Sequence, residues 1–405
     1  MASPKLRFKE FDEDWSDSKL GQLIGISSAS RVFKEQWQTS GVPFFRTSDV
    51  VSISKNKENE KAYISLELFE ELSKKSGKIQ KGDLLVTGGG TIGIPYLVKN
   101  DEPLYFKDAD LLWMKSSGII DGSFLYNFFI SPKFREYLKS ISHTGTISHF
   151  TIEQAKVTPF QYPSKEEQTK IATFLSTVDE KISQLSQKLH LLSQYKQGMM
   201  QKLFSQQIRF KADDGSEFGE WEKTTLGLTG KFIGGGTPSK EVTEFWQGSI
   251  PWISSSDLVD ESIFNINITR YISTEALNQS ATKLIPANSI LIVSRVGVGK
   301  VAVTNRDICT SQDFTSLVLN NGNPVFFGYL IKSLTGRLLE MNQGTSIKGF
   351  VKDDLSNLKV EIPNLAEQTK IANFLSAIDQ KIDVVSKQLD QAKLWKKGLL
   401  QQMFV

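Results

Sequence analysis

EQTKIA at residues 167–172 returns letter for letter as EQTKIA at residues 367–372, two hundred positions later. The match continues without a gap. Phe174-Leu175-Ser176 pairs with Phe374-Leu375-Ser376, Asp179 with Asp379, Lys181-Ile182 with Lys381-Ile382, Gly198 with Gly398 and Phe204 with Phe404. Between 166–204 and 366–404, eighteen of thirty-nine positions are identical. A repeat of this length far exceeds the period of a stacking solenoid, so each copy is a domain-sized unit and the chain is a tandem duplication.

Both copies open with a helix-start signal, Pro163-Ser164 before Glu167 and Pro363-Asn364 before Glu367, a capping residue with a carboxylate three positions on. From there apolar residues recur every seven positions. One seam of the first copy holds Ile171, Val178, Leu185, Leu192 and Met199, and the other Leu175, Ile182, Leu189 and Leu203, interrupted by Lys196. The second copy repeats this with Ile371, Ile378, Val385, Ala392 and Leu399, then Leu375, Ile382, Leu389 and Met403, interrupted by Lys396. A heptad sustained this long needs a partner helix to cover its stripe, and the nearest partner is the other copy. The expectation is two helices, each about 60 Å long at 1.5 Å per residue, paired antiparallel as a rigid spacer between two heads. The seam lysines are expected to set alignment, or to be solvated near the helix ends.

The heads are related but divergent. Each opens with RFK, at 7–9 and 209–211, then a tryptophan, Trp15 and Trp221, then Leu-Gly at 20–21 and 226–227. VPFFRTSDV at 42–50 pairs with IPWISSSDL at 250–258, GDLLVTGGGTIG at 82–93 with NSILIVSRVGVG at 288–299, and TGTISHF at 144–150 with GTSIKGF at 344–350. Apolar strand residues keep their character while the polar positions change, so the heads are expected to read different things.

Composition sets the class. With 39% hydrophobic and 23% charged residues, each half can bury its own core. The lone cysteine, Cys309, excludes an internal disulfide framework. No apolar run reaches the roughly 20 residues of a membrane span, and MASPKLRFKEF lacks an apolar segment of signal-peptide type, so a cytoplasmic protein is expected. A net charge of +3 is nearly neutral, so positive charge that meets nucleic acid has to be local.

Catalytic constellations are missing. His143, His149 and His190 have no metal-ligand spacing, and no metal is expected. GGGTIG at 88–93 has no following helix signal, RVGVGK at 295–300 lacks the leading glycine and the Ser or Thr of a phosphate loop, and no Pro-Pro pair of the base-methylating enzymes occurs.

Two divergent α/β heads alternating with near-identical helices that begin EQ-x-x-I-A-x-F-L-S-x-x-D resemble the specificity subunit of type I restriction-modification systems. Glu167 to Asp179 and Glu367 to Asp379 carry the resemblance, with GGGTPS at 234–239 and IPWISSSDL at 250–258; the first head has ISSASR at 26–31 where GGGTPS is expected. The resemblance implies an α/β (α+β) fold with pseudo-twofold symmetry. It places target recognition domains at 1–163 and 206–363 and helical spacers at 164–205 and 364–405. Each head would read one half of a split DNA target, and the helices would set the gap and dock two methyltransferase subunits. The chain itself is expected to be non-catalytic. S-adenosylmethionine, ATP and Mg would belong to the methyltransferase and motor-nuclease partners.

Sequence is read by side chains on base edges, and position on the duplex by phosphate contacts. The DNA-facing candidates are Arg46, Thr47 and Ser48 in the first head and Ser254, Ser255 and Ser256 in the second, with Ser239, Lys240, Arg295, Lys300 and Lys348 added on charge and loop position. Arg295, beside a glycine turn, is the foremost candidate because arginine can bond guanine in two places. Ile171, Leu175, Val178, Ile182, Leu185, Leu189, Ile371, Leu375, Ile378, Ile382, Val385 and Leu389 are the expected coiled-coil contacts.

Overall fold

Ser164 and Asn364 start the two long helices as their sequence signals predict. The Glu167 amide donates to Ser164 Oγ at 3.4 Å and the Glu367 amide to Asn364 Oδ1 at 3.0 Å. The helices run unbroken over Lys165–Phe204 and Leu365–Met403. This computed structural model describes residues 3–107, 109–116, 118–141, 149–341 (main chain only over 336–341) and 349–404.

The chain divides into two compact units, Met1–Ser186 with Lys387–Val405, and Gln187–Ser386, so each long helix contributes to both. In the first unit Ile171, Leu175 and Val178, near the start of one helix, share a core with Leu399, Leu400 and Met403, near the end of the other. In the second unit Ile371, Leu375 and Ile378 share a core with Leu203, flanked by Met199 and Phe204. Start meets end in both, so the two helices pack antiparallel. All twelve expected seam residues are buried or half-buried. Each fully buried leucine or isoleucine contributes about 2 kcal/mol relative to exposure, so these residues help to hold the helix ends to each other and to the heads.

The seam lysines are paired rather than solvated. In the first unit Lys396 Nζ lies 2.6 and 2.8 Å from the two Asp179 carboxylate oxygens. In the second, Lys196 Nζ lies 2.5 Å from Asp379 Oδ1. Both pairs join the same two repeat positions in the same register. Their surroundings differ, since the Asp379 side chain is 8% exposed and that of Asp179 is 44% exposed. Asp379 also accepts a 2.6 Å bond from the Tyr329 hydroxyl, whose pKa is raised by burial and then by this carboxylate.

The repeated glutamates are not the reciprocal capping carboxylates that their spacing suggests. Glu167 is fully buried, and it accepts from Arg7 Nε and Nη2 at 2.8 and 2.7 Å and from the Trp15 indole at 3.4 Å. Glu367 repeats this with Arg209 at 3.1 and 2.7 Å and Trp221 at 3.2 Å. A buried carboxylate needs such partners to offset its lost hydration, and arginine supplies two parallel donors. Gln168 and Gln368 complete the attachment. Each donates to the carbonyl of the preceding proline, Pro163 or Pro363, and accepts an amide from its head, Asp121 at 2.8 Å or Asn323 at 2.9 Å. The RFK, Trp and EQ motifs are therefore one clasp that fastens each head to a helix start.

Each head carries three sheets in the same order. The two-stranded ribbon joins Ser16–Lys19 to Pro159–Tyr162 in one head and Glu222–Thr225 to Lys359–Ile362 in the other. A four-stranded antiparallel sheet runs Gly25–Ser27, Leu111–Lys115, Leu84–Thr87, Pro95–Leu97, matched by Gly230–Gly234, Thr315–Leu319, Ile290–Ile292, Val301–Val303. The third sheet centres on Val42–Phe45, antiparallel to Ala62–Ile64 and parallel to Tyr105–Phe106. Its counterpart centres on Ile250–Ile253, antiparallel to Arg270–Ile272 and parallel to Ile308–Thr310, with Leu284–Ile285 added at the edge. Cys309 lies buried in that last sheet, and burial pushes its thiol up to about 11.

Candidate functional site

In both heads two loops meet where the central strand of the third sheet ends and the four-stranded sheet turns. The strand Val42–Phe45 runs into the helix Thr47–Ser54 and the strand Ile250–Ile253 into the three-residue helical turn Ser255–Asp257, each with an aspartate in its first turn. The Arg46 amide donates to Asp49 Oδ2 and the Ser254 amide to Asp257 Oδ2, both at 2.7 Å. The strands Leu84–Thr87 and Ile290–Ile292 each enter a glycine turn closed by the Gly93 amide on the Thr87 carbonyl at 2.7 Å, or the Gly299 amide on the Val293 carbonyl at 3.2 Å. Gly93 and Gly299 have φ of +71° and +94°, which explains why both turns keep glycine there. RTSD and GGG, and SSSD and SRVG, are separated in sequence but become neighbours. Thr47 Oγ1 donates to the Asp110 carbonyl at 3.3 Å, and the same carbonyl accepts the Gly88 amide at 2.8 Å. In the second head the Asp313 carbonyl accepts the amides of Ser294 and Arg295 at 2.8 and 3.3 Å.

The candidates fall into two groups on this rim. Ser48, Ser239, Lys240, Ser256 and Arg295 are exposed. Arg295 has no side-chain hydrogen bond or ion pair among the described residues, and its neighbour Val296 is 70% exposed. Ser254 Oγ and Ser256 Oγ lie 2.9 Å apart. The second group is engaged within the heads. Arg46 donates to both Asp49 oxygens, at 2.9 and 3.1 Å, and to the Glu60 carbonyl, with its guanidinium 5.6 Å from the centre of the Trp37 ring. Lys300 Nζ holds the carbonyls of Ser255 and Leu258 at 3.2 and 2.9 Å, and Ser255 is buried. Thr47 is half-buried. Lys348 and His143 lie outside the described residues.

The Asp49 carboxyl shows how the first rim is held. Burial alone would raise its pKa, but Arg46 and Asn59 outweigh that and hold it below the usual carboxylate range. Arg46 is raised in turn, chiefly by its bond to Asp49.

In RTSD the arginine also supports the turn, and SSSD fills that structural role from elsewhere. In the second head Arg270 does the work of Arg46. Its guanidinium bonds Asp257 and Ser254 Oγ, the latter at 2.8 Å, and lies 4.6 Å from the centre of the Trp252 ring. Arg270 pairs with Trp252 across the strands, a position filled by Ala62 opposite Phe44 in the first head. The arginine has moved from the end of the central strand to its antiparallel neighbour, and its aromatic partner from Trp37 to Trp252, while the aspartate has stayed. Local sequence could not reveal this, because the compensating residue lies sixteen positions downstream.

Sequence reasoning missed Gln312 altogether. It is exposed at the tip of a tight turn, in which the Phe314 amide bonds the Ser311 carbonyl at 3.2 Å. GGGTPS packs against this turn, with the Gly236 amide on the Thr310 carbonyl at 2.8 Å and the Gly235 amide on the Phe314 carbonyl at 3.2 Å. A Cβ on Gly235 or Gly236 would run into the Ser311 or Ala281 carbonyl, so these glycines exist for close backbone approach. The GGGTPS motif marked the neighbourhood without naming the glutamine.

Among the described residues no group of three or more His, Cys, Asp and Glu is placed to hold a metal ion, and no helix is long and apolar enough to cross a membrane.

Comparison with known proteins agrees over most of the chain. A putative MjaX specificity subunit from Methanocaldococcus jannaschii is 24% identical over 412 aligned residues, covering 98% of this chain and 94% of that protein. The EcoR124I/EcoR124II specificity subunit of Escherichia coli is 38% identical over 183 residues. That alignment, and one to the MjaIX specificity subunit of M. jannaschii at 28% identity, each span only 44% of the relative. The fold matches the crystal structure of a type I restriction-modification S subunit from M. genitalium, with a TM-score of 0.61 at 18% identity, covering 100% of this chain and 99% of that one. Residues 12–193 and 219–394 each match the family described as type I restriction modification DNA specificity domain, so the chain belongs to that family, with two copies of its domain in tandem.

Proposed function

We propose that this chain is the sequence-reading subunit of a type I restriction-modification complex, with each head reading one half of a split DNA target. The observation that carries this reading is the division between constant and variable parts. The clasps, the seam pairs and the sheet order are the same in both halves, while the rims expose different side chains. On this reading the target recognition domains are 1–163 and 206–363, and the spacers 164–205 and 364–405 set the gap and dock two methyltransferase subunits. Those subunits carry S-adenosylmethionine and methylate adenine N6, and motor-nuclease subunits supply ATP- and Mg-dependent cleavage of unmodified DNA in the cytoplasm. This chain orients and selects.

Exposed Ser48, Ser239, Lys240, Ser256 and Arg295 and half-buried Ser254 face DNA in this reading, with Lys348 beside them. Thr47, Ser255, Arg46 and Lys300 shape the rim beneath. Arg295 is suited to a guanine edge, where its planar fork bonds O6 and N7 together.

The test is to co-express the chain with a cognate adenine methyltransferase subunit and map modified adenines across host DNA, against a control lacking this chain. A split motif that appears only with the chain, and whose halves exchange when the heads are exchanged, is the expected result. A stable complex that creates no motif would overturn the reading.

A further inference from the structure

We infer that Gln312 is a base-reading residue of the second head, presented to an adenine edge and held in place by Thr237. The inference rests on the sequence-reading role proposed above and goes beyond it by naming a residue, a positioning partner and a base.

The geometry has three parts. Gln312 is exposed at the apex of the Ser311–Phe314 turn, whose stem is bonded by the amides of Gly235 and Gly236. The turn is tied down further by Ser311, whose amide donates to the Ile253 carbonyl at 2.8 Å and whose hydroxyl donates to Asp313 Oδ2 at 3.0 Å. Finally, Asp313 carries the carbonyl that holds the Ser294 and Arg295 amides, so the Gln312 turn and the Arg295 turn are joined through the main chain. A flexible side chain therefore stands on a base fixed from three directions, next to the other exposed reader of the rim.

Thr237 restrains the side chain. Its hydroxyl donates to Gln312 Oε1, which leaves Nε2 facing outward. A carbonyl oxygen has two acceptor sites, so Oε1 can still accept a second bond while Nε2 donates two. The remaining acceptor and donor match the N6 amino group and N7 of adenine in the major groove, the pairing that glutamine makes in two-point contacts. Guanine presents two acceptors at those places and does not fit. A preset amide also loses less side-chain freedom on binding than a free one.

The first head lacks this device. Asp110 matches Asp313 in holding the turn, and the residue before it is Ala109, with a φ of +61°. Glycines 88–90 occupy the other side, and a cavity of about 300 Å³ lined by Ser28, Gly88, Ala109, Leu112 and His149 opens beside them. The device is confined to one head, so its loss must affect one half-site only.

The experiment compares the full chain with Gln312→Ala and Thr237→Val, each co-expressed with the methyltransferase subunit, by mapping the methylated motif. The half-site of the second head is assigned by exchanging residues 206–363. With Gln312→Ala, one position specified as adenine in that half-site should become degenerate, with discrimination falling on the order of ten- to a hundredfold, while the other half-site is unchanged. Thr237→Val should relax the same position by a smaller factor. An unchanged motif, relaxation at a G·C position, or equal weakening at every site would overturn the inference. If Gln312→Ala abolishes methylation, competition binding of the purified complex to duplexes varied at each position decides, since uniform loss across the panel also overturns it. Failure of the wild-type chain to create any split motif is a different result, which removes the proposed function itself.

Discussion

The two clasps and the two rims of this molecule have followed opposite rules. Arg7, Trp15 and Glu167 have the same partners at nearly the same distances as Arg209, Trp221 and Glu367. At the rims, Gly89 is matched by Arg295, Ala109 by Gln312 and Arg46 by Ser254. A buried charge with a bidentate partner tolerates no single change, because removal of either side strands the other without water. An exposed side chain on a well-held turn can change at little cost to folding, commonly within about 0.5 kcal/mol. Constancy in one place and divergence in the other follow from burial, before any question of function arises.

The clasps should give the largest effects. Glu167→Ala and Glu367→Ala each leave an arginine and an indole without their buried acceptor, and each should cost about 3 kcal/mol of unfolding free energy, read by chemical denaturation. Equal losses would support two equivalent clasps, and a loss in only one would break the equivalence. The seam pairs should divide where the clasps agree. Asp379→Ala leaves Lys196 with only the Glu261 carbonyl, removes the acceptor of the buried Tyr329 hydroxyl and should cost about 2–3 kcal/mol. Asp179→Ala, at a half-exposed site, should cost about 1 kcal/mol or less. Similar values for the two would show that register, and not burial, sets their contribution.

The rims should separate stability from discrimination. Arg46→Ala should lower stability by about 1–2 kcal/mol by releasing Asp49 and the Glu60 carbonyl. Arg295→Ala should leave stability nearly unchanged and reduce discrimination at one half-site by about 1–3 kcal/mol, measured by competition binding of the purified complex. An equal effect of Arg295→Ala on both half-sites would contradict the assignment of one head to one half. The smallest effect is a pH dependence of the first head. Asp49 has a folded pKa below its unfolded value of about 3.9. Its contribution is therefore present above that value and lost as pH falls through the lower folded one. Thermal melts across the acid range should show a shallower loss in Asp49→Asn than in the wild type.

Much of the architecture could be read directly from residues. The repeat announced the duplication, Ser164 and Asn364 marked the helix starts, and the heptads predicted a helix pair whose seam residues are buried or half-buried. The seam lysines were visible too, but their partners were not. Asp179 and Asp379 stand seventeen residues before Lys196 and Lys396 in their own helices, and only antiparallel packing brings each lysine to the aspartate of the other helix. The glutamates were misread for a related reason. Spacing from a capping residue is a local signal, whereas Arg7 lies 160 residues from Glu167. The rim was half legible. Its loops were found by comparing the copies, but aligned letters did not show that Arg46 is held by Asp49, that Arg270 on a different strand holds Asp257, or that Gln312, which belongs to no repeated motif, is exposed beside them.

Periodicity, capping and duplication are properties of neighbouring residues in the chain, so helix positions and the presence of two related halves were already present in the order of amino acids. Which charges are buried, which arginine supports a turn and which glutamine faces solvent depend on residues brought together across many positions. Those contacts are chosen by the need to satisfy every polar group removed from water, and that requirement acts only once the strands and helices have packed.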